Sequence, residues 1–307
     1  MTAVVATDAL GKRYGRRWAL KDCTLQIPAG RVTGLVGQNG AGKSTLLNLA
    51  AGLLRPTTGT IEVCGGRPAS DPAQLAKVGF VAQDTPTYAG LSVRDHLRLG
   101  AHLNPRWDDD LARSRVERLG LDPGQRAGRL SGGQRAQLAL ALGLAKRPEL
   151  LILDEPVASL DPFARREFLA LLMEAVAEQE LSVVLSSHVV SDLERVCDHV
   201  VVLVDSEVRL AGEVETLLDT HHRLTGPRRG TNTLPADQEV VSARHTDRQT
   251  TLVVRTERPV IDPAWTVTDL GLEDLVLSYM ERPSPQLPGA PGSPDAPTGS
   301  PSLEVLK

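Results

Sequence analysis

Aromatic side chains are scarce in this chain of 307 residues: Phe, Trp and Tyr occur three times each, 3% in all, so an aromatic outside a core position carries information. Cysteine is as rare. Cys23, Cys64 and Cys197 lie far apart, are odd in number and form no C-x-x-C, which argues against a zinc site or a disulfide framework and suits a reducing cytosol. Positive charge has no surplus, since the net charge is −4, and the basic footprint of a nucleic-acid binder is absent at whole-chain level. No run approaches the roughly 18 apolar residues of a membrane span, so a chain that crosses the membrane by itself is not expected. Met1 to Leu10 lacks a basic stretch followed by an apolar one, and no signal peptide is expected. Internal repeats are lacking too. What is present is 41% hydrophobic and 23% charged residues, enough for a globular core in one large domain plus a small one, or in two ordinary domains.

Apolar runs and breakers give the order of elements. A short apolar run, Arg31 to Val36, leads into the Gly-rich stretch Gly37 to Ser44, and Thr45 to Leu54 follows as a helix closed by Arg55-Pro56. Thr60 to Val63, Lys77 to Ala82, Leu150 to Leu153, Ser182 to Ser186 and His199 to Val204 are strand candidates. Helical patterns at 92–103, 108–119 and 132–146 interrupt them, separated by Asn104-Pro105 and Asp122-Pro123-Gly124. Pro162 to Glu180 is an amphipathic helix with Asp161 as N-cap and Pro in its first turn. Strands alternating with helices around a helical insertion predict an α/β fold: a mainly parallel sheet with a helical subdomain at about 84–149. Residues 223–235 are expected to be a linker, and His221-His222 a solvated helix end. In the 236–282 region, Glu239 to Arg244 and Thr250 to Arg255 could pair as a hairpin, and Gly271 to Arg282 reads as a short helix, giving a small α+β extension. Pro283 to Lys307 has seven Pro, three Gly and no aromatic, and is expected to be disordered.

Three motifs carry chemistry. Gly37 to Ser44 (GQNGAGKS) matches G-x-x-x-x-G-K-S. Gly37, Asn39, Gly40, Ala41 and Gly42 would let successive backbone N–H groups curl around phosphate oxygens, with the helix that follows at Thr45 presenting its positive end. Lys43 would supply a charge to the β- and γ-phosphates and Ser44 a hydroxyl to Mg²⁺. Leu150 to Glu155 (LLILDE) is an apolar strand that delivers Asp154 and Glu155 at its C-terminal end, where α/β sheets bind ligands. Asp154 suits the Mg²⁺ shell and Glu155 a general base on the attacking water. Leu130 to Gln134 (LSGGQ) opens a helix with Ser131, Gly132, Gly133 and Gln134, a second anion site at a helix N-terminus. As a lone pentapeptide it could be an ordinary cap. Here it precedes Asp154 by 23 residues, in the same order as the other motifs.

With these motifs in that order, residues from roughly 4 to 220 resemble the ATP-binding subunit of ABC transporters. The resemblance implies a P-loop nucleotide triphosphatase fold, ATP and Mg²⁺ as ligands, and further roles. Tyr14, ahead of Ala19-Leu20, would stack on adenine. Gln83, in VAQD, would touch Mg²⁺ and the attacking water. Ser159-Leu160-Asp161 resembles the loop that crosses the dimer interface, and His188, after LSS, the switch histidine at the γ-phosphate. Gln38 and Val157 stand where Pro and Thr are common in the family, and neither change removes a functional group. The resemblance also implies partners: a separate integral-membrane permease, and a second copy of this chain that completes each ATP site with its own LSGGQ. No nucleic-acid partner is expected. The place implied is the cytoplasmic face of the cell membrane. The 236–282 region is similar to the extension of ABC-2 exporter ATPases, which points to export. An importer ATPase and a non-transport ABC ATPase are the alternatives.

Overall fold

Four strands are buried along their whole length and form the middle of the molecule. The computed structural model describes residues 2–84, 87–228, 235 and 238–281. It begins with β1 (Ala3–Tyr14), β2 (Arg17–Pro28), β3 (Val32–Gly37), α1 (Lys43–Ala50), β4 (Thr58–Val63), α2 (Pro72–Ala76) and β5 (Val78–Val81). The helices α3 (Val93–Leu103), α4 (Asp109–Arg118) and α5 (Gly132–Ala145) follow. The chain returns to the sheet with β6 (Leu150–Leu153), α6 (Pro162–Glu178), β7 (Ser182–Ser187), α7 (Val190–Leu193), β8 (His199–Val204), β9 (Glu207–Glu213) and α8 (Val214–Thr220). It ends with β10 (His221–Pro227), β11 (Glu239–His245), β12 (Gln249–Arg255), β13 (Thr266–Thr268) and α9 (Leu272–Glu281).

The central sheet has the order β5-β6-β7-β3-β8-β9, parallel except for the edge strand β9. Its strands β3, β6, β7 and β8 are covered on both faces, which is why they read as continuous apolar runs rather than alternating ones. One face packs on α1 and on an antiparallel sheet, β2-β1-β4, through Leu10, Leu20, Leu46 and Leu49. The other packs on α5 and α6 through Leu140, Leu144, Phe168 and Leu172. Each such fully buried side chain contributes about 1.5–3 kcal/mol by transfer alone.

Sequence reading did not find β1 and β2. Their pairing shifts register between Ala3 and Val5, Thr7 and Leu10, and again to Arg13, which breaks the alternation of β1; in β2 only Cys23 to Ile27 alternates, buried Cys23, Leu25 and Ile27 with exposed Thr24 and Gln26. The helical block is better signposted. A capping box between Ser92 and Asp95 starts α3, Asp108 caps α4, and Ser131 with Gln134 makes a second capping box on α5. This block has a core of its own, including Val93, Leu97, Val116 and Leu138. Buried Arg115 ties it to the sheet domain by pairing with Glu174 and Glu178 of α6, at 2.9 Å each.

The C-terminal residues depart from expectation. Residues 223–227, expected in a linker, belong to β10, which pairs with β12 from His221↔Arg255 to Pro227↔Gln249 in the antiparallel sheet β11-β12-β10-β13. His221 is not a solvated helix end. It is buried, with Nδ1 on the Leu217 carbonyl at 2.7 Å and Nε2 at 2.9 Å from the Tyr279 hydroxyl of α9. A polar His-His pair hides this, because the strand places only the first of the two inward. A boundary at 222 therefore falls inside a strand. One face of this sheet keeps a small core of Leu224, Leu252, Val254 and Trp265. Val241, Val253 and the α9 residues Leu272, Leu275 and Val276 join the main core instead. The expected disordered tail, 283–307, lies outside the described residues. Among the described residues no helix is long and apolar enough to cross a membrane.

Candidate active site

Three neighbouring strands, β6, β7 and β3, end side by side. Leu153 of β6 is level with Leu185 of β7, and Ser187 of β7 with Val36 of β3. Parallel pairing thus brings the ends of three distant segments to one edge: Asp154-Glu155, Ser186 to His188, and the loop from Gly37 to Gly42. This is the C-terminal edge at which open α/β sheets bind ligands.

The loop after β3 needs its glycines. Gly40 has φ +85° and Gly42, the N-cap of α1, φ +108°. A Cβ on Gly42 would stand 2.3 Å from the Ala19 carbonyl oxygen. Behind the loop, Lys43 is only 5% exposed and donates from Nζ to the Gly37 carbonyl at 2.8 Å. The same ammonium lies 3.4 Å from Glu155 Oε1. Glu155 Oε2 is 3.2 Å from Nδ1 of His188. Lys43, Glu155 and His188 are therefore one connected set, with the carboxylate between two cationic or proton-donating groups.

The carboxylates are held from behind. Ser186 is fully buried; its hydroxyl donates to Asp154 Oδ1 at 2.7 Å and accepts from the Glu155 N–H at 2.8 Å. Glu155 needs such an anchor, because its φ of +46° is in the left-handed region that a residue with a Cβ seldom enters.

A cavity of about 760 Å³ opens here. Of the residues anticipated from sequence, Tyr14, Asn39, Gly40, Gly42, Lys43 and Ser44 line it, as do Thr45, Gln83, Glu155 and His188. Tyr14 stands at its wall with 51% exposure, Lys12 Nζ lying 5.5 Å from its ring centre. Gly37 and Ala41 do not reach the cavity; Ala41 belongs to the apolar core beneath the loop, and a Cβ on Gly37 would meet the Leu203 carbonyl oxygen at 2.5 Å. A neighbouring cavity of about 580 Å³ shares Ser44 and Gln83 and adds Asp154 and Gly132. Ser131, Gly133 and Gln134 line neither. Ser131 caps its own helix, accepting from Gln134 N–H at 3.2 Å while its N–H donates to Gln134 Oε1 at 3.0 Å. Asp161 also lies outside both cavities and caps α6 through the N–H groups of Phe163 and Ala164.

Sequence reading missed Arg17 and Ala158, which line the larger cavity, and the role of Ser186. Arg17, next to Arg16 at the start of an irregular strand, has no required spacing to any other group and gives no signal. Ser186 was visible only as part of LSS. Burial pushes the thiols of Cys23 and Cys64 up to about 11 and that of Cys197 up to about 12, away from thiolate chemistry.

The residues present fit a magnesium nucleotide. Among the described residues no three His, Cys, Asp or Glu converge as a protein-only metal cage. Asp154, Ser44 and Gln83 share a cavity with Asn48, Asp84 and Ser159, and a carboxylate, a hydroxyl and an amide from the first three would make the sparse oxygen set suited to Mg²⁺ that keeps waters and takes phosphate oxygens. Lys43 and the N-terminus of α1 supply positive potential beside it.

A family model described as "ABC transporter" matches residues 20–158. YxlF, an ABC transporter ATP-binding protein of Bacillus subtilis, is 33% identical over 219 residues, covering 70% of this chain and 72% of that one. CysA, a sulfate/thiosulfate import ATP-binding protein of Mycobacterium bovis, is 37% identical over 223 residues, 71% of this chain and 63% of that one, so this chain spans just under two thirds of its length. A solved structure described as the ATP binding subunit of an ABC transporter matches with a TM-score of 0.63 at 27% identity, over 70% of this chain and 91% of that one. The fold is that of the P-loop ATPase cassettes. Within that class the chain belongs to the ATP-hydrolysing, ATP-binding subunits of ABC transporters.

Proposed function

We propose that the chain acts as one of two copies that close on ATP, that it energises a separate membrane-spanning permease from the cytoplasmic face of the membrane, and that transport is outward. Lys43, Asn39, Gly40, Gly42 and Thr45 bind the phosphates, Tyr14 stacks on the base, and Ser44, Gln83 and Asp154 hold Mg²⁺. That ion, when bound, neutralises charge developing on the transferred phosphoryl group. Glu155 acts as base on the attacking water, and His188 and Gln83 orient it.

One observation carries the two-copy reading. The two adjoining cavities gather Lys43, Ser44, Gln83, Asp154, Glu155 and His188, whereas Ser131, Gly133 and Gln134 stand outside both at the start of α5, with only Gly132 of that motif reaching the smaller one. A second copy that contributes this helix N-terminus completes the site, and an isologous pair completes two of them. For the permease, support comes from an apolar groove of about 300 Å³ lined by Leu53, Leu75, Phe80 and Leu142. Leu53 and Leu75 are 63% and 50% exposed, and Phe80 also lines the cavity that holds Asp154. A permease helix seated in this groove would touch the same Phe80 that borders the Mg²⁺ side of the site. Outward transport rests on the similarity of the 236–282 region to ABC-2 exporter ATPases. CysA, named for import, favours the opposite direction.

The test is co-expression with candidate membrane-spanning permeases. The chain should co-purify from solubilised membranes, and inside-out vesicles given external ATP should load cargo into their lumen. A chain that hydrolyses ATP at full rate yet never associates with membranes overturns the transport reading. Cargo leaving the lumen instead reverses the direction.

A further inference from the structure

We infer that Ser186 is a positioning residue for hydrolysis: it fixes the Asp154 carboxylate and the Glu155 backbone together, as one rigid unit. The inference rests on the assignment of Asp154 and Glu155 to Mg²⁺ binding and water activation. Its basis is the single hydroxyl that touches both. Ser186 Oγ donates to Asp154 Oδ1 at 2.7 Å and accepts the Glu155 N–H at 2.8 Å, so its proton and a lone pair are both committed.

The consequence for Asp154 is orientation. With Oδ1 held from behind the sheet edge, Oδ2 is the oxygen left to face the cavity that Ser44 and Gln83 share. A carboxylate free to spin would present either oxygen and lose rotational order each time it bound a cation. For Glu155 the consequence is retention of a strained backbone. At φ +46° this peptide is held against its intrinsic preference, and the bond to Ser186 is the one that anchors its N–H. If the N–H swings away, the Glu155 side chain leaves its place between Lys43 and His188. Ser186 sits where this is possible because pairing of β6 with β7 places it one step beyond Leu153↔Leu185, level with Asp154. It is fully buried, so water does not compete for either bond.

The neighbouring Ser187 does separate work. Its hydroxyl accepts from the Val189 N–H at 2.9 Å, shaping the turn that carries His188. The two serines thus set the carboxylate side and the histidine side of the same cavity.

The experiment compares wild type with Ser186→Ala, Ser186→Thr and, as a control for disturbance of the sheet, Thr33→Val. Thr33 is buried on β3 level with Val184, and its hydroxyl has no hydrogen-bond partner. Ser186→Ala should lower kcat about 10–100-fold, the usual size of an orienting partner's effect on a metal site, and raise the Mg²⁺ concentration needed for half-maximal rate. Binding of ATP without Mg²⁺, which relies on Lys43 and Tyr14, should change less than about twofold, a shift of under 0.5 kcal/mol. Ser186→Thr, which keeps the hydroxyl on a strand that favours β-branched residues, should restore most of kcat. Thr33→Val should match wild type. A Ser186→Ala protein with wild-type kcat and Mg²⁺ dependence overturns the inference. So does a loss shared equally by Mg²⁺-free binding, or one that Thr does not relieve and that follows a fallen melting temperature. Absence of ATP hydrolysis in wild type would instead defeat the underlying assignment of the site.

Discussion

The cassette and its C-terminal unit are built on opposite plans. In the cassette, a fully buried parallel sheet leaves all its polar work to one edge, where β3, β6 and β7 end and Lys43, Glu155 and His188 meet. In the C-terminal unit, an antiparallel sheet shares its residues between a small core of its own and the cassette's core, and its polar contacts are joints. His221 bonds Tyr279, and the Leu272 N–H at the start of α9 donates to Glu194 Oε1, just beyond α7, at 3.1 Å. The first region separates stability from chemistry; the second is all stability. Substitutions should therefore divide cleanly: those at the sheet edge should change rate at constant fold, and those in α9 should change fold at constant rate per folded molecule.

The largest effect is expected at Lys43. Lys43→Ala removes the ammonium proposed to face the phosphates, and ATP turnover should fall to background, with weaker nucleotide binding measured by titration. Wild-type turnover in this variant would break the comparison at its first term. Glu155→Gln comes next. It keeps the shape of the side chain and removes the proposed base, so phosphate release should fall about 10²–10⁴-fold while MgATP binding persists. The trapped variant should run as a dimer with MgATP and towards monomer with ADP, read by size-exclusion chromatography with light scattering. A protein that stays monomeric at saturating MgATP, with the permease also supplied, counts against the two-copy site.

This division also explains what could be read in advance. The sheet edge was legible because chemistry demands residue types at fixed spacing: GQNGAGKS sets Lys43 and Ser44 at a set offset from its glycines, and LLILDE sets Asp154 and Glu155 at the end of an apolar strand. The buried strands were legible because burial on both faces fills their middles with Val, Leu and Ile and leaves no polar alternation. β1 was not, since bulges break its alternation, and β2 alternates only over the short stretch from Cys23 to Ile27. β10 was hidden for another reason. Its inward residues are His221 and Leu224, separated by polar and half-exposed positions, and it ends at Gly226-Pro227, which reads as a breaker. A strand whose key inward residue is a hydrogen-bonded histidine looks like a loop until its partner Tyr279 is placed 58 residues later. Arg17 at the cavity wall carried no signal, because one exposed arginine has no required spacing to any other group.

In the C-terminal unit the expectation reverses. Leu275 is fully buried on α9 and belongs to the main core. Leu275→Ala should cost about 2–5 kcal/mol, the range for emptying a well-packed leucine site, and should lower the melting temperature clearly. Turnover per folded molecule, corrected for the folded fraction, should stay near wild type. A loss of turnover without loss of stability would mean that α9 acts on the site through Glu194 and α7, and the two regions would no longer be separable.

The smallest effect sharpens the comparison by titration, because each region holds a buried histidine. Burial holds the pKa of His199, at the start of β8, below its ordinary 6.5, with Glu213 opposing. His221 is lowered by the same cause; the Leu217 carbonyl and Glu239 oppose it, while Arg255 and His222 add to it. Because Nδ1 of His221 must carry the proton that meets the Leu217 carbonyl, Nε2 is the acceptor for the Tyr279 hydroxyl, and a second proton would turn that acceptor into a donor. In both regions the folded state therefore binds its proton at lower pH than the unfolded state. Above 6.5 neither state is protonated and no pH dependence arises from these groups. As pH falls below 6.5 the unfolded state takes up protons first, so stability declines, by at most about 1.4 kcal/mol per pH unit for each histidine, and levels off below the folded pKa. Urea unfolding between pH 8 and pH 5 should show this decline. Tyr279→Phe should lower stability at pH 8 by about 0.5–1.5 kcal/mol, one net hydrogen bond. His221→Gln, which cannot titrate, should flatten part of the acid decline and leave the share that belongs to His199. An unchanged slope in His221→Gln would place the whole acid sensitivity in the cassette and show that the joint at α9 does not sense pH.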